Sequence, residues 1–323
     1  MNSSTIPGTP LVVSNVAYGC MNIGGGWDGA PLTQRQRHDA FDAIGAAIEA
    51  GITLFDHADI YCRGKSEEIF GSYLREHPSL RDRITIQSKC GIRFGGDPEP
   101  GSPHRYDLSR DHIIASVDEI LGRLGVDVLD ILLLHRPDPL CEPDEVASAF
   151  DNLHQGGKVK FFGVSNHGVG QMELLSKSLR QPIVVNQLQL SLGQAALITE
   201  GIHVNQDRGL PGSLASGIID YCRMKGILVQ AWGPVGAGSF LPSNDSGEKS
   251  LLSGTLRALA EQHGVAPETI AIAWLLRHPA RIQPVIGSVR PERIAALAAG
   301  DSVVLSREEW WSLLSAALGG KIP

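Results

Sequence analysis

What the 323-residue sequence lacks narrows it first. No stretch approaches the roughly 18 consecutive apolar residues of a spanning helix, so no membrane segment is expected. No run of Lys or Arg forms a phosphate-tracking stripe, and the formal net charge is −7, so nucleic acid is not an expected partner. The opening MNSSTIPGTP has neither the basic flank nor the apolar core of a secretion signal. The five cysteines, Cys20, Cys62, Cys90, Cys141 and Cys222, are odd in number, widely spaced and without a CxxC pair. They offer neither a disulfide framework nor a thiolate metal site, and a reduced cytoplasm is the expected location. Linker-like composition shifts and low-complexity segments are also missing, so a single domain over 1–323 is expected.

What is present is short β-rich runs alternating with longer helical ones. Strands are predicted at 12–17, 52–55, 84–88, 128–134, 159–164, 183–185, 227–231 and 283–286. They are near-continuously apolar, the pattern of strands buried on both faces. Helices are predicted at 33–50, 65–76, 110–124, 142–155, 169–179, 214–224, 251–263, 267–277 and 291–299, with one more at 306–318 outside the alternation. The first opens with Thr33 and Gln36 in capping-box spacing and stops at Gly51. Eight such repeats in a chain of this length predict a (β/α)8 barrel, the TIM barrel, with an N-terminal β segment and an extra C-terminal helix. The stretches 91–108 and 233–250 are too long for plain connections.

The strand ends carry chemistry. GITLFDHADIY runs from an apolar strand into Asp56 and Tyr61, ITIQSKCG ends on Lys89, and DILLLHRPD ends on His135. KFFGVSNH ends on Ser165 and Asn166, PIVVNQ on Asn186 and Gln187, and ILVQAWGP on Trp232. QPVIGSVRPER ends on Ser288, with Arg290 and Arg293 following. In barrels of this kind active sites are built at that rim. A phenol is a poor acid near neutrality, and a neighbouring ammonium stabilises its phenolate. Lys89 would supply that charge, Asp56 would hold Lys89, and His135 would orient a substrate oxygen while Tyr61 protonates it. Such a set needs a hydride donor.

On these pieces the chain resembles the aldo-keto reductases, and DHADIY with HRPDPL most resembles a bacterial oxidoreductase branch of that family. The matching segments keep the family's order from residue 51 to residue 294. The resemblance implies a (β/α)8 barrel, NADP(H) laid across the rim, and reduction of a small-molecule carbonyl. It implies Tyr61 as general acid, tuned by Lys89 and Asp56, with His135 orienting the carbonyl. It assigns Ser165, Asn166 and Gln187 to the nicotinamide carboxamide, Trp232 to stacking beneath the ring, and Ser288, Arg290 and Arg293 to the adenosine 2′-phosphate. The chain departs from the family at Trp232, where tyrosine is usual, and at Arg290, where lysine is common. LQLSL follows Asn186 and Gln187, where the family often shows Glu-Tyr-Ser. Ala295, Ala296 and Leu297 stand where a Glu-Asn pair often faces the adenine.

Other signals weigh less. GGGWDG (24–29) is a literal GxGxxG with Glu49 about 20 residues on, but the next helix starts only at Thr33, too late for a dinucleotide turn. Trp27 in that loop is expected to wall the substrate pocket. Asp56, His57 and Asp59 hint at a metal, yet Lys89 and Gln187 are poor ligands, so no metal is expected. Cys90 should point into the core and Cys62 should be exposed near the cofactor. Two alternatives stand beside a carbonyl reductase: an NADPH-binding sensor with little turnover, and a metal-dependent hydrolase.

Overall fold

The computed structural model describes residues 1–202, 217–241, 251–320 and 322. The chain opens with an antiparallel hairpin, β1 (Ser3–Thr5) and β2 (Val12–Ser14), which lies outside the barrel. The first barrel strand is β3 (Ala17–Gly19), followed by α1 (Gln34–Glu49), β4 (Leu54–Asp56), α2 (Lys65–Glu76) and β5 (Thr85–Cys90). A small hairpin, β6 (Ile92–Arg93) and β7 (Arg105–Tyr106), rises from the rim before α3 (Arg110–Leu124). Then come β8 (Leu129–Leu134), α4 (Pro143–Gln155), β9 (Val159–Ser165), α5 (Val169–Ser176) and β10 (Ile183–Gln189). The last part holds α6 (Ala196–Thr199), α7 (Ile218–Lys225), β11 (Leu228–Trp232), α8 (Leu251–His263), α9 (Pro267–Leu276), β12 (Gln283–Ile286), α10 (Pro291–Ala298) and α11 (Arg307–Ala317).

Eight parallel strands close the barrel in the order β3-β4-β5-β8-β9-β10-β11-β12. The seam is sealed where Val285 pairs with Ala17 and Ile286 with Tyr18. The expected (β/α)8 barrel is therefore the fold. One expectation changes: 12–17 is not a single strand. The chain breaks after Ser14, whose Oγ accepts from Thr53 N (2.9 Å) while Thr53 Oγ1 accepts from Ser14 N (2.8 Å). The break turns the N-terminal hairpin under the barrel, where Ile6 and Val13 pack with Leu54, Ile131, Leu133 and Val185. Of the predicted helix at 214–224, residues 214–216 lie outside the described residues, as do residues 242–250 of the long loop.

Local rules account for the ends. Thr33 and Gln36 form the capping box of α1, and Gly51 leaves it at φ +82, where a side chain would be strained. Outside the barrel, Ile44, Ile69, Ile120, Phe150 and Trp274 bury the inner helix faces. α11 adds Trp310, stacked on Trp274 at 5.3 Å. Alternation along β5 sends Gln87 and Lys89 into the barrel and Ile86, Ser88 and Cys90 toward the helices.

Candidate active site

Asp56 closes β4 in register with Gln87, and Lys89 lies two residues further along β5, so the two meet across neighbouring strands at the rim. Lys89 is fully buried, and its ammonium uses all three donors: Asp56 Oδ2 at 2.8 Å, His57 O at 2.9 Å and the Tyr61 hydroxyl at 2.9 Å. Tyr61 reaches it from a tight turn in which Cys62 (φ 48) and Arg63 (φ 60) are both left-handed. That conformation costs about 1–2 kcal/mol per residue. Neighbours hold it: the Cys62 thiol donates to Met21 O (3.1 Å), and Arg63 Nε donates to Trp27 O (2.9 Å). His135 follows β8, and its ring stands edge-on to Tyr61 at 6.0 Å.

Burial shapes the proton affinities. It opposes the Lys89 ammonium, but Asp56 and Tyr61 outweigh it and hold the pKa above the ordinary lysine value. Burial raises the Tyr61 phenol, Lys89 pulls it down, and the net direction is up. The stabilisation by Lys89 expected from the sequence is therefore opposed, and outweighed, by burial. The pull from Lys89 is present, but the phenol has lost the water that would solvate its anion. His135 is driven well below its ordinary value by burial, then by Lys89 and Arg136, so its imidazole is neutral. Its Nδ1 is buried without a partner.

These groups open on a cleft of about 880 Å³ that also takes in Ser165, Asn166, Gln187, Trp232, Ser288, Arg293 and Trp27. Asn166, itself at φ 61, links its neighbours: Oδ1 accepts from the Trp232 indole at 3.0 Å, and Nδ2 donates to Ser165 Oγ at 2.8 Å. Ser165 Oγ donates to Gln187 O at 2.9 Å. Gln187 Nε2 donates to Asp56 Oδ1 at 3.0 Å, and the residue lines the cleft. Ser288 Oγ accepts from Arg290 N at 3.1 Å, and Arg293 Nε lies 3.9 Å from Glu268 Oε1. Arg290 does not line the cleft. Its side chain is 63% exposed, with Glu292 Oε1 at 3.7 Å.

Trp27 is half-exposed and meets Phe94 edge-on at 6.4 Å, the start of an aromatic wall that continues through His104 to Tyr106. Cys62 is not exposed as expected. The 20–25 loop covers it, and its thiol also lies 3.4 Å from Gly25 O. Gly24 packs so tightly there that an added Cβ would meet Ser66 Oγ at 2.5 Å and Cys62 Cβ at 2.6 Å, a packing role for that glycine. His57 turns from the cleft onto Phe70 at 4.6 Å, and burial lowers its pKa to about 3. Sequence reading missed Arg136, whose guanidinium sits 5.7 Å over the Trp232 ring and lines the cleft. It also missed Gln87, Gln230 and Gln283, buried in the barrel interior. Gln87 is two residues before Lys89 in a strand, and that spacing was the available signal. On the opposite face, a groove of about 840 Å³ has Asp130 paired with Arg81 (3.0 Å) and Lys160 (2.7 Å), without the acid–base set of the rim.

Comparison with known proteins bears on the family and the fold. The model of the Aldo/keto reductase family matches residues 15–317. The chain is 35% identical over 313 residues to a 6-dehydroglucose reductase of Agrobacterium fabrum, covering 97% of each. It is 35% identical over 277 residues to the uncharacterized oxidoreductase YcsN of Bacillus subtilis, covering 85% of this chain and 87% of YcsN. Among solved structures, the glycerol dehydrogenase AKR11B4 from Gluconobacter oxydans superposes with a TM-score of 0.80 at 25% identity, covering 99% of this chain and 97% of that one.

Proposed function

The chain belongs to the aldo/keto reductase family, and on that premise we propose that it is an NADPH-dependent reductase of small aldehydes or ketones with Tyr61 as general acid. The observation that carries the reading is the Tyr61–Lys89–Asp56 chain, closed by bonds of 2.9 and 2.8 Å. NADPH, when bound, supplies the hydride, so that carbonyl, NADPH and a proton become alcohol and NADP⁺. Lys89 keeps its proton and stabilises the phenolate that Tyr61 becomes as it protonates the substrate oxygen. The raised phenol pKa keeps Tyr61 protonated near neutrality, the state reduction requires. Neutral His135 donates its Nε2–H to the same oxygen and orients it.

The cleft suits the cofactor. With Gln187 Nε2 engaged on Asp56, its side-chain carbonyl is the end free to accept from a carboxamide NH₂, and the Trp232 indole offers a flat face. Ser165 and Asn166 complete the carboxamide corner. Ser288 and Arg293 at the cleft end, with Arg290 at the start of α10, suit a 2′-phosphate. The 6-dehydroglucose reductase among the relatives directs the first substrate panel toward polar aldehydes and ketones. The test is loss of NADPH absorbance when the purified protein meets that panel. Turnover is expected. NADPH binding without turnover on any of the panel would favour a sensor instead.

A further inference from the structure

We propose that Gln87 and Gln230 are positioning residues of this site: buried amides that hold the Asp56 carboxylate, and through it Lys89 and Tyr61, in working geometry. The inference rests on the reading of Tyr61 as general acid. Asp56 Oδ1 accepts from Gln87 Nε2 at 2.6 Å and from Gln187 Nε2 at 3.0 Å, while Oδ2 takes the Lys89 ammonium. Both amides also donate to Gln230 Oε1, at 2.8 and 2.9 Å. Gln230 Nε2 donates back to Gln87 Oε1 at 3.2 Å and on to Gln283 Oε1 at 2.9 Å. Gln283 Nε2 ends the relay on Ser14 O at 2.7 Å, at the barrel floor.

The relay has one consistent direction. Ser14 O and the Asp56 carboxylate only accept, so each amide between them must point its nitrogen as observed. Turning Gln230 over would set its NH₂ against the NH₂ groups of Gln87 and Gln187. The four glutamines and Asp56 are all at most 3% exposed, where an unpaired amide is costly and a methionine of similar size would fill the space. Glutamine in the barrel interior is therefore better explained by what it holds than by packing. It fixes Asp56 on the side away from Lys89. It also fixes Gln187, so the carboxamide corner and the acid share one support.

The experiment compares wild type, Gln87→Met, Gln230→Met, Lys89→Met and the Gln87→Met/Lys89→Met double variant. Gln87→Met should lower the rate constant of aldehyde reduction about ten-fold, and Gln230→Met, one bond further from Asp56, about three-fold. In the apoprotein, phenolate absorbance against pH, referenced to Tyr61→Phe, should show Tyr61 ionising at higher pH in Gln87→Met. NADPH affinity, read by fluorescence titration, should weaken in Gln230→Met because Gln187 loses an acceptor. In the Lys89→Met background, adding Gln87→Met should cost no more than about two-fold, since its effect runs through Lys89. A lowered melting temperature with unchanged rate and unchanged Tyr61 titration would overturn the proposal, as would full additivity in the double variant. If Gln87→Met does not fold, Gln230→Met carries the same tests. A Tyr61→Phe variant that still reduces aldehydes at the wild-type rate would instead defeat the underlying reading of the acid.

Discussion

The barrel interior has two layers built from the same strands, and they behave oppositely. At the floor, Val13, Leu54, Ile131, Leu133 and Val185 pack against Ile6 from the N-terminal hairpin, with no titratable group among them. Two residues beyond Leu54, Leu133 and Val185 stand Asp56, His135 and Gln187, and Lys89 joins them from β5. The floor contributes stability through apolar burial and shape. The upper layer keeps charges and amides out of water, where each depends on its partner and bond strength is electrostatically amplified. Burial strengthens the floor but perturbs the upper layer, raising the phenol of Tyr61 and keeping His135 neutral.

Substitutions should separate the layers. The largest effect is expected from Tyr61→Phe, which keeps the ring and removes the acidic proton. Carbonyl reduction should fall about 10²–10⁴-fold in steady-state assays, with NADPH affinity near wild type. Next, Leu133→Ala in the floor should cost about 2–5 kcal/mol in denaturant unfolding and leave the pH profile of the remaining activity unchanged. A shifted profile would mean that the layers are not separable. Arg293→Ala should weaken NADPH by about 1.5–3 kcal/mol in fluorescence titration and leave NADH nearly unchanged, since it removes a charge-assisted bond to a phosphate. Equal losses for both cofactors would displace the phosphate site.

The smallest effect concerns pH and stability. His57 has a folded pKa of about 3 against an ordinary 6.5, so between those values the unfolded chain binds a proton that the folded one refuses. Stability from this group is present above about 6.5 and is lost as pH falls toward about 3, at up to about 1.4 kcal/mol per pH unit. His57→Phe should make the acid limb of the stability curve shallower. His167, lowered to about 4, adds to the same limb and should remain.

Much of this was legible in order. Asp56, Lys89 and His135 stand at the ends of apolar runs, and a barrel must bring such ends together at one rim. The box of Thr33 and Gln36 marked the start of α1. The rest depended on three-dimensional packing. Gln87, Gln230 and Gln283 interrupt β-rich runs as any solvent-facing residue would, and only barrel closure turns them on one another. The break after Ser14 depends on Thr53, 39 residues away. Cys62 is buried because the 20–25 loop folds over it, and partial burial at the rim raises the Tyr61 phenol. The residue chemistry alone gives the direction of the Lys89 pull, while the balance against burial depends on how the rim encloses Tyr61.

The balance between Lys89 and burial can be read from the pH dependence of alcohol oxidation with NADP⁺ in wild type and Lys89→Met, with stopped-flow confirmation that chemistry limits the rate. Under the proposed function oxidation uses the Tyr61 phenolate as base, so its rate should rise with pH in the wild type. Lys89 is the chief group pulling the phenol down against burial. Removing its charge should leave the burial and Asp56 effects unopposed and move the profile to higher pH. A Lys89→Met profile that coincides with the wild type would contradict the coupling of Tyr61 to Lys89.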